Sequence, residues 1–174
     1  TLPTGLSFST STGQITGTPA TLLAATTFTV TATDQATPTA QTSSKTFSLT
    51  VNPPALNTTQ AVASTTLSAN TAATPFTPVT ASGGFGTVSY ALSGATLPTG
   101  LNFSTTTGQI TGTPTTLLAA TTFTVTATDQ ATPTAQTSSK TFSLTVIAAS
   151  LTTVQAVAST TLSANTAATP FTPV

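Results

Sequence analysis

Charged side chains, the usual source of catalytic and metal-binding groups, are almost absent from this chain of 174 residues. It contains two basic residues, two acidic residues and no Cys or His. The charged residues form two Asp–Lys pairs with equal spacing, Asp34 with Lys45 and Asp129 with Lys140. The simplest expectation is that each is a surface ion pair, which contributes less than about 1 kcal/mol to stability.

A covalent role for Lys140 is the sharper alternative. A lysine buried beside Asn70 or Asn102 could form an internal isopeptide bond, with the nearby aspartate assisting. That reaction requires a buried amine, whereas Lys140 precedes an alternating strand pattern in which its neighbour Thr141 faces outward. We therefore prefer the ion pair.

Catalytic, cofactor-binding and metal sites are not expected. Hydrolysis needs a nucleophile held beside a base, and the many serines have no His and only one carboxylate in each repeat as partners. Calcium takes roughly six to eight oxygen ligands, usually including several carboxylates, and Asp129 is the only acid of its repeat. We predict no catalytic residue, no cofactor-binding residue, no metal ligand and no cofactor.

The composition also argues against two classes of partner. The formal net charge is zero, so no basic patch can neutralise phosphates, and we expect no nucleic-acid binding. The longest apolar run has four residues, as at 117–120. A membrane-spanning helix needs about 20 such residues, so we expect no membrane span in this segment.

A 95-residue repeat organises the chain. Residues 1–79 and 96–174 match at 70 of 79 positions. A repeat of this length and fidelity indicates a tandem array of whole domains rather than a short-period solenoid. Four of the nine differences fall at residues 52–55, which include the consecutive prolines Pro53 and Pro54, as is typical of a joint between domains.

This joint predicts the domain boundaries. Residues 53–147, the central segment, form one complete repeat. Residues 1–52, the leading segment, are the C-terminal part of a preceding repeat, and residues 148–174, the trailing segment, are the N-terminal part of the next. We expect the chain to be a window from a longer array. The alternative, one domain built from the two end segments of different chains, would lack a counterpart of residues 80–95, which hold a predicted core strand.

Alternation of apolar and hydroxyl residues predicts β-strands. TFTVTATD at 122–129 places Phe123, Val125 and Ala127 on one face, and KTFSLTV at 140–146 does the same with Phe142, Leu144 and Val146. Other predicted strands lie near residues 56–62, 65–69, 75–81, 87–93, 100–104 and 108–111, with a long loop at 131–139. Short strands without any helical period predict an all-β fold of tandem β-sandwich repeats of about 95 residues.

Threonine takes the place of charge on the predicted outer faces. The chain has 52 threonines among 174 residues, and this β-branched residue favours strands. The simplest interpretation is an ordinary solvent-facing strand residue. The alternative is a neutral face adapted to lateral packing or to O-linked glycans. Because charge usually guards sheet edges against association, the partners we expect are identical repeats or chains, together with an O-linked glycan.

LPTGLNFSTTTGQITGTP at 97–114, followed by TFTVTATD and FSLTV, resembles the bacterial immunoglobulin-like (cadherin-like) tandem repeat domain of large extracellular proteins. The resemblance covers the whole chain, in two partial repeats and one complete repeat. It implies an Ig-like sandwich and an extracellular or cell-surface location. One departure concerns calcium, which cadherin-like relatives often bind between domains through several carboxylates, whereas each repeat here has one.

Together, the residues and the resemblance predict a non-catalytic structural module of a long extracellular bacterial filament or surface stalk. The alternative is an adhesin repeat that binds a host or surface ligand through its loops. An enzyme is the least favoured interpretation.

Overall fold

The computed structural model describes residues 1–173 and folds them into twelve β-strands, with no helix in that range. The leading segment contains β1 (Leu6–Phe8), β2 (Ile15–Gly17), β3 (Leu23–Thr33) and β4 (Thr42–Val51). The central segment contains β5 (Asn57–Gln60), β6 (Ser64–Ser68), β7 (Val79–Ser82), β8 (Ser89–Ser93), β9 (Leu101–Phe103), β10 (Ile110–Gly112), β11 (Leu118–Thr128) and β12 (Thr137–Ile147). Across residues 1–173, no helix offers the length and apolarity that crossing a bilayer requires.

The central segment is a two-layer β-sandwich, which confirms the predicted fold class. One layer is a four-stranded sheet with the order β6-β12-β11-β8, in which only the β6–β12 pair is parallel. The other layer consists of the antiparallel pairs β5–β7 and β9–β10. A bridge connects Ile110 of β10 with Phe76, which lies three residues before β7.

The core lies between the layers and contains the residues that the alternation predicts. Phe123, Val125 and Leu144 are fully buried, and Phe142 is 1% exposed. They pack against Val79, Leu101 and Ile110 from the opposite layer. Because successive side chains of a strand point to opposite faces, the intervening threonines face away from this core.

Two predicted elements differ from the structure. A strand was expected over 75–81, but β7 begins only at Val79, because Pro75 and Pro78 lack the N–H that ladder pairing needs. The loop expected over 131–139 is shorter, since β12 already begins at Thr137 and pairs with Thr128.

The leading segment repeats the second half of the central segment pair for pair. The Cα partners of β1–β2 and β3–β4 are those of β9–β10 and β11–β12 shifted by 95 residues, including the register shift near Leu23 and Leu118. The trailing segment has no strand among residues 148–173. Its turn at Asn165 nevertheless has the φ of 59° found at Asn70.

Candidate functional site

The most elaborate polar site is the end of the β11–β12 hairpin, where Asp129 lies directly after β11. Asp129 is 4% exposed. The loop from 129 to 136 folds back so that the backbone nitrogen of Asp129 donates to the carbonyl of Gln136. We call Asp129, Gln136 and the backbone groups bound to them the Asp129 cluster.

Four N–H groups donate to the Asp129 carboxylate. Oδ1 accepts from the backbone nitrogens of Ala131 at 3.1 Å and Gln136 at 2.7 Å. Oδ2 accepts from the backbone nitrogen of Phe85 at 3.0 Å and from Nε2 of Gln136 at 3.1 Å. A buried carboxylate is tolerated in this setting because its charge is solvated by oriented amide dipoles.

Gln136 extends the Asp129 cluster to the start of the central segment. Its Nε2 donates to the carbonyl of Pro54 at 2.8 Å, and its Oε1 accepts from the backbone nitrogen of Leu56 at 3.4 Å. Three stretches distant in sequence therefore meet at one carboxylate and one amide. These hydrogen bonds connect the first residues of the central segment to its last hairpin, β11–β12.

The pKa of Asp129 reflects this environment. Burial raises the pKa, but the hydrogen bonds from the backbone of Gln136, Ala131 and Phe85 and from the Gln136 side chain outweigh it. The pKa therefore lies below its ordinary value of 3.8, and the carboxylate is ionised at neutral pH.

The Asp129 cluster is poorly suited to calcium. Both carboxylate oxygens are already bound by N–H donors, whose positive ends would repel a cation. Among residues 1–173, no three His, Cys, Asp or Glu side chains lie together in a group that could hold a metal ion. The chemistry of this donor set is that of a structural anchor.

The predicted surface ion pair between Asp129 and Lys140 is wrong. Asp129 takes its partners from amides, while Lys140 lies in β12 opposite Val125 with an exposed side chain. Sequence spacing placed both residues near the same hairpin, but the chain turns Asp129 inward beneath its loop. The exposure of Lys140 also contradicts the isopeptide alternative, which requires a buried amine.

Asp34 shows what the same residues do without the rest of the sandwich. It accepts from the backbone nitrogens of Gln41 and Ala36, which lower its pKa below the ordinary 3.8 against a smaller effect of desolvation. Asp34 is exposed, and its cluster has no counterpart of the Phe85 amide. The local sequence is therefore enough to form the hairpin loop. Burial of the aspartate requires the distant loop at 82–86 as well.

A second feature is an apolar groove in the leading segment, which we call the leading groove. Its volume is about 240 Å³, and its apolar lining residues are Leu2, Phe8, Ile15, Phe28, Val30 and Phe47. The rings of Phe28 and Phe47 stack at 5.6 Å. In the central segment the corresponding surface is covered by residues 56–82, which is why the same sequence is buried there and half-exposed here.

Hydroxyl groups pair across strands, both at the exposed Thr31 and at Thr58, which is only 9% exposed. Thr31 and Ser44 lie 2.8 Å apart on neighbouring strands, and Thr58 and Ser138 lie 2.8 Å apart between β5 and β12. Such pairs contribute some tenths of a kcal/mol each. The threonines therefore serve strand pairing as well as solvation.

Sequence reasoning missed the role of Gln136. Its only signal is the repeated Asp–Gln spacing of seven residues at 34/41 and 129/136, which is shared by the exposed and the buried copy. The partners of Gln136 at Pro54 and Leu56 lie about eighty residues away and depend on tertiary structure alone.

Comparison with protein families gives matches to the He_PIG family, described as a Putative Ig domain, at residues 1–52 and at residues 53–147. The chain belongs to the He_PIG family. The two-layer β-sandwich of the central segment is thus the He_PIG fold, and the Asp129 cluster lies at one end of it. The resemblance seen in the sequence is confirmed.

Three solved structures similar to this He_PIG chain are extracellular regions of protocadherins. They are protocadherin gammaB7 EC3-6, described as a cis-dimer, the protocadherin gammaB4 extracellular domain, and protocadherin gamma B2 extracellular cadherin domains 3-6. Their identities are 21%, 19% and 18%, with TM-scores of 0.42, 0.44 and 0.44. They cover 82%, 82% and 83% of this chain, which spans 39%, 26% and 39% of theirs. A comparison with curated proteins gives no match.

Proposed function

We propose that this chain is a structural repeat module that builds a long extracellular bacterial filament or surface stalk and performs no catalysis. Within it, residues 53–147 would be a complete Ig-like domain, residues 1–52 the C-terminal part of the preceding one and residues 148–174 the N-terminal part of the next. Membership of an Ig-like family supports a structural or adhesive role outside the cell.

The observation that carries the proposal is the identical strand register of the repeated sequence. Every pair of β3–β4 recurs in β11–β12 at a spacing of 95 residues. Identical modules provide length and uniformity, because each adds the same increment and the same contacts. A weak contact between neighbouring chains would then recur once in every repeat and add up.

The polar chemistry supports the same conclusion. The best-built polar site, the Asp129 cluster, uses its carboxylate to join three backbone stretches and leaves neither oxygen free for a substrate. The outer sheet faces carry hydroxyl groups in place of charge, which suits lateral contact between chains or attachment of O-linked glycans.

Electron microscopy of the purified chain tests the proposal. Filaments with an axial period of one domain would support the fibre, and isolated flexible strings would support the stalk. Compact single particles together with clear hits on a glycan array would overturn the structural proposal in favour of an adhesin. Bovine serum albumin on the same array controls for non-specific signal.

A further inference from the structure

The joint between the leading and central segments, residues 52–56, is short. β4 ends at Val51, which is still paired with β3. The carbonyl of Pro54 is already bound by the side chain of Gln136, in the last hairpin of the central segment. Asn52 and Pro53 are therefore the two residues that separate the last paired residue of one segment from the first hydrogen-bonded residue of the next.

These two residues have little conformational freedom. A proline ring fixes φ, and a residue that precedes a proline is largely restricted to extended conformations. Pro53 meets both conditions, because Pro54 follows it, and Asn52 meets the second. Few backbone angles are therefore free to change the direction of the chain between the two segments.

The central segment holds the next three residues of the joint one by one. Nε2 of Gln136 donates to the carbonyl of Pro54 at 2.8 Å, and Oε1 of the same side chain accepts from the backbone nitrogen of Leu56 at 3.4 Å. Between them, the backbone nitrogen of Gly84 donates to the carbonyl of Ala55 at 3.3 Å. The second half of the joint is thus attached to the sandwich at every residue.

The glycine loop at 82–86 lies directly against the joint. A Cβ atom at Gly83 would lie 2.1 Å from the carbonyl oxygen of Ala55, and the φ of Gly83 is 73°. A side chain would fit neither the space nor this left-handed conformation. Glycine therefore allows the loop to approach the main chain of the joint closely.

Asp129 positions both groups that hold the joint. Its Oδ1 accepts from the backbone nitrogen of Gln136, and its Oδ2 accepts from Nε2 of the same residue. Oδ2 also accepts from the backbone nitrogen of Phe85, which lies in the glycine loop. One buried carboxylate therefore orients the glutamine side chain and the loop together.

Apolar burial changes on the other side of the joint. Leu22 lies beside the joint, since its neighbour Leu23 is paired with Val51. Leu22 is half-buried, whereas its counterpart Leu117 is 63% exposed. It is the one residue of the leading segment that is half-buried where its copy is exposed. The joint that begins at residue 52 is therefore accompanied by additional packing on the leading segment.

We infer that the Asp129 cluster fixes the joint, so that the central segment holds the repeat before it in one orientation. Gln136 is the positioning residue, because its side chain binds the main chain on both sides of Ala55. The inference rests on the proposed function and deepens it by specifying a stiff connection between repeats. Stiffness matters in a long array because bending at each joint would add up along its length.

Distances between two nitroxide labels test the inference, because the chain has no native Cys. Thr46→Cys and Thr141→Cys place labels at exposed, equivalent positions of β4 and β12. Pulsed electron paramagnetic resonance then gives the distribution of distances between the two segments. We expect one narrow distribution in the parent chain and a width greater by about twofold in Gln136→Ala, because the released joint has more freely rotating residues. Gln41→Ala, the same change in the leading segment, should leave the width unchanged.

Label pairs inside each segment separate motion at the joint from motion within a segment. Thr106→Cys with Thr141→Cys reports on the central segment, and Ser11→Cys with Thr46→Cys reports on the same positions of the leading segment. Both internal widths should be equal in the parent chain and in Gln136→Ala. If the alanine variant broadens the central pair, Gln136→Met takes its place, because methionine fills the space without the hydrogen bonds.

Two results would overturn the inference. One is a parent distribution between the segments that is clearly wider than both internal distributions, and the other is an equal width in the parent chain and the Gln136 variant. Failure of the two proposals is distinguishable. Filaments together with a broad distribution would refute the fixed joint alone, whereas a narrow distribution in a chain that forms compact single particles would refute the proposed function alone.

Discussion

Phe123 and Phe142 lie opposite each other on β11 and β12, with their rings stacked at 5.5 Å and an angle of 20° between their planes. Both rings are buried between the two layers. Their counterparts Phe28 and Phe47 stack in nearly the same way, at 5.6 Å and 21°, but are only half-buried. The stacking is therefore a property of the hairpin, and the burial is a property of the sandwich.

Truncation of the two equivalent rings should have different effects. Phe142→Ala should lower the free energy of unfolding of the central segment by about 3–5 kcal/mol, because it leaves a cavity in a closed core. Tyr90 is the only tyrosine and lies in β8, so its fluorescence in a urea titration reports this segment. Phe47→Ala should leave the Tyr90 transition unchanged. An equal shift for both variants would contradict the separate cores.

Removal of the Gln136 side chain should weaken the join between the start and the end of the central segment. Gln136→Ala removes one hydrogen-bond partner each from the Leu56 amide, the Pro54 carbonyl and an Asp129 oxygen. The free energy of unfolding, followed by Tyr90 fluorescence, should fall by about 1–3 kcal/mol. Gln41→Ala removes the same side chain from the leading segment, where it has no such partners. The Gln41→Ala control should unfold at the same urea concentration as the parent chain. A similar loss of unfolding free energy in both variants would disprove the role of Gln136.

Acid should destabilise the central segment through Asp129. Its pKa is lowered in the folded state relative to 3.8, so its stabilising effect is complete above that value and is lost as the pH falls through the folded-state pKa. We expect a constant urea midpoint between about pH 5 and pH 8 and a falling one below about pH 4.

Asp129→Asn provides the control for this pH profile. It should lower the midpoint at neutral pH and flatten the acid limb, because the titrating group is gone. Asp34→Asn should preserve both the midpoint and the acid limb of the Tyr90 transition. An acid limb that survives Asp129→Asn would show that another group is responsible.

Calcium should have no effect on thermal stability. Each repeat has one carboxylate, and that of Asp129 is occupied by four N–H donors. We expect the melting temperature by circular dichroism to agree within about 1 °C in millimolar calcium chloride and in EDTA, since a ligand stabilises only the state that binds it. A calcium-dependent rise that Asp129→Asn abolishes would revive a metal site.

Hairpins and turns could be predicted from the sequence because they depend on neighbouring residues. The alternation in 122–129 and 140–146 is enough to specify two strands and their inward faces. The 95-residue repeat is enough to specify that the leading segment forms the same hairpins. The turn at Asn165 forms without any partner, for the same reason.

Tertiary structure alone decided which of these elements are covered. The Asp129 carboxylate is buried and the Asp34 carboxylate is exposed in identical local sequence, because only the central segment brings the Phe85 amide and the stretch around Pro54 to it. The edge position of β8 likewise appears only in the sheet order. Periodicity depends on neighbouring residues, whereas burial depends on which distant segment packs on a face. The same hairpin sequence is therefore part of a closed sandwich in the central segment and lines an open groove in the leading segment.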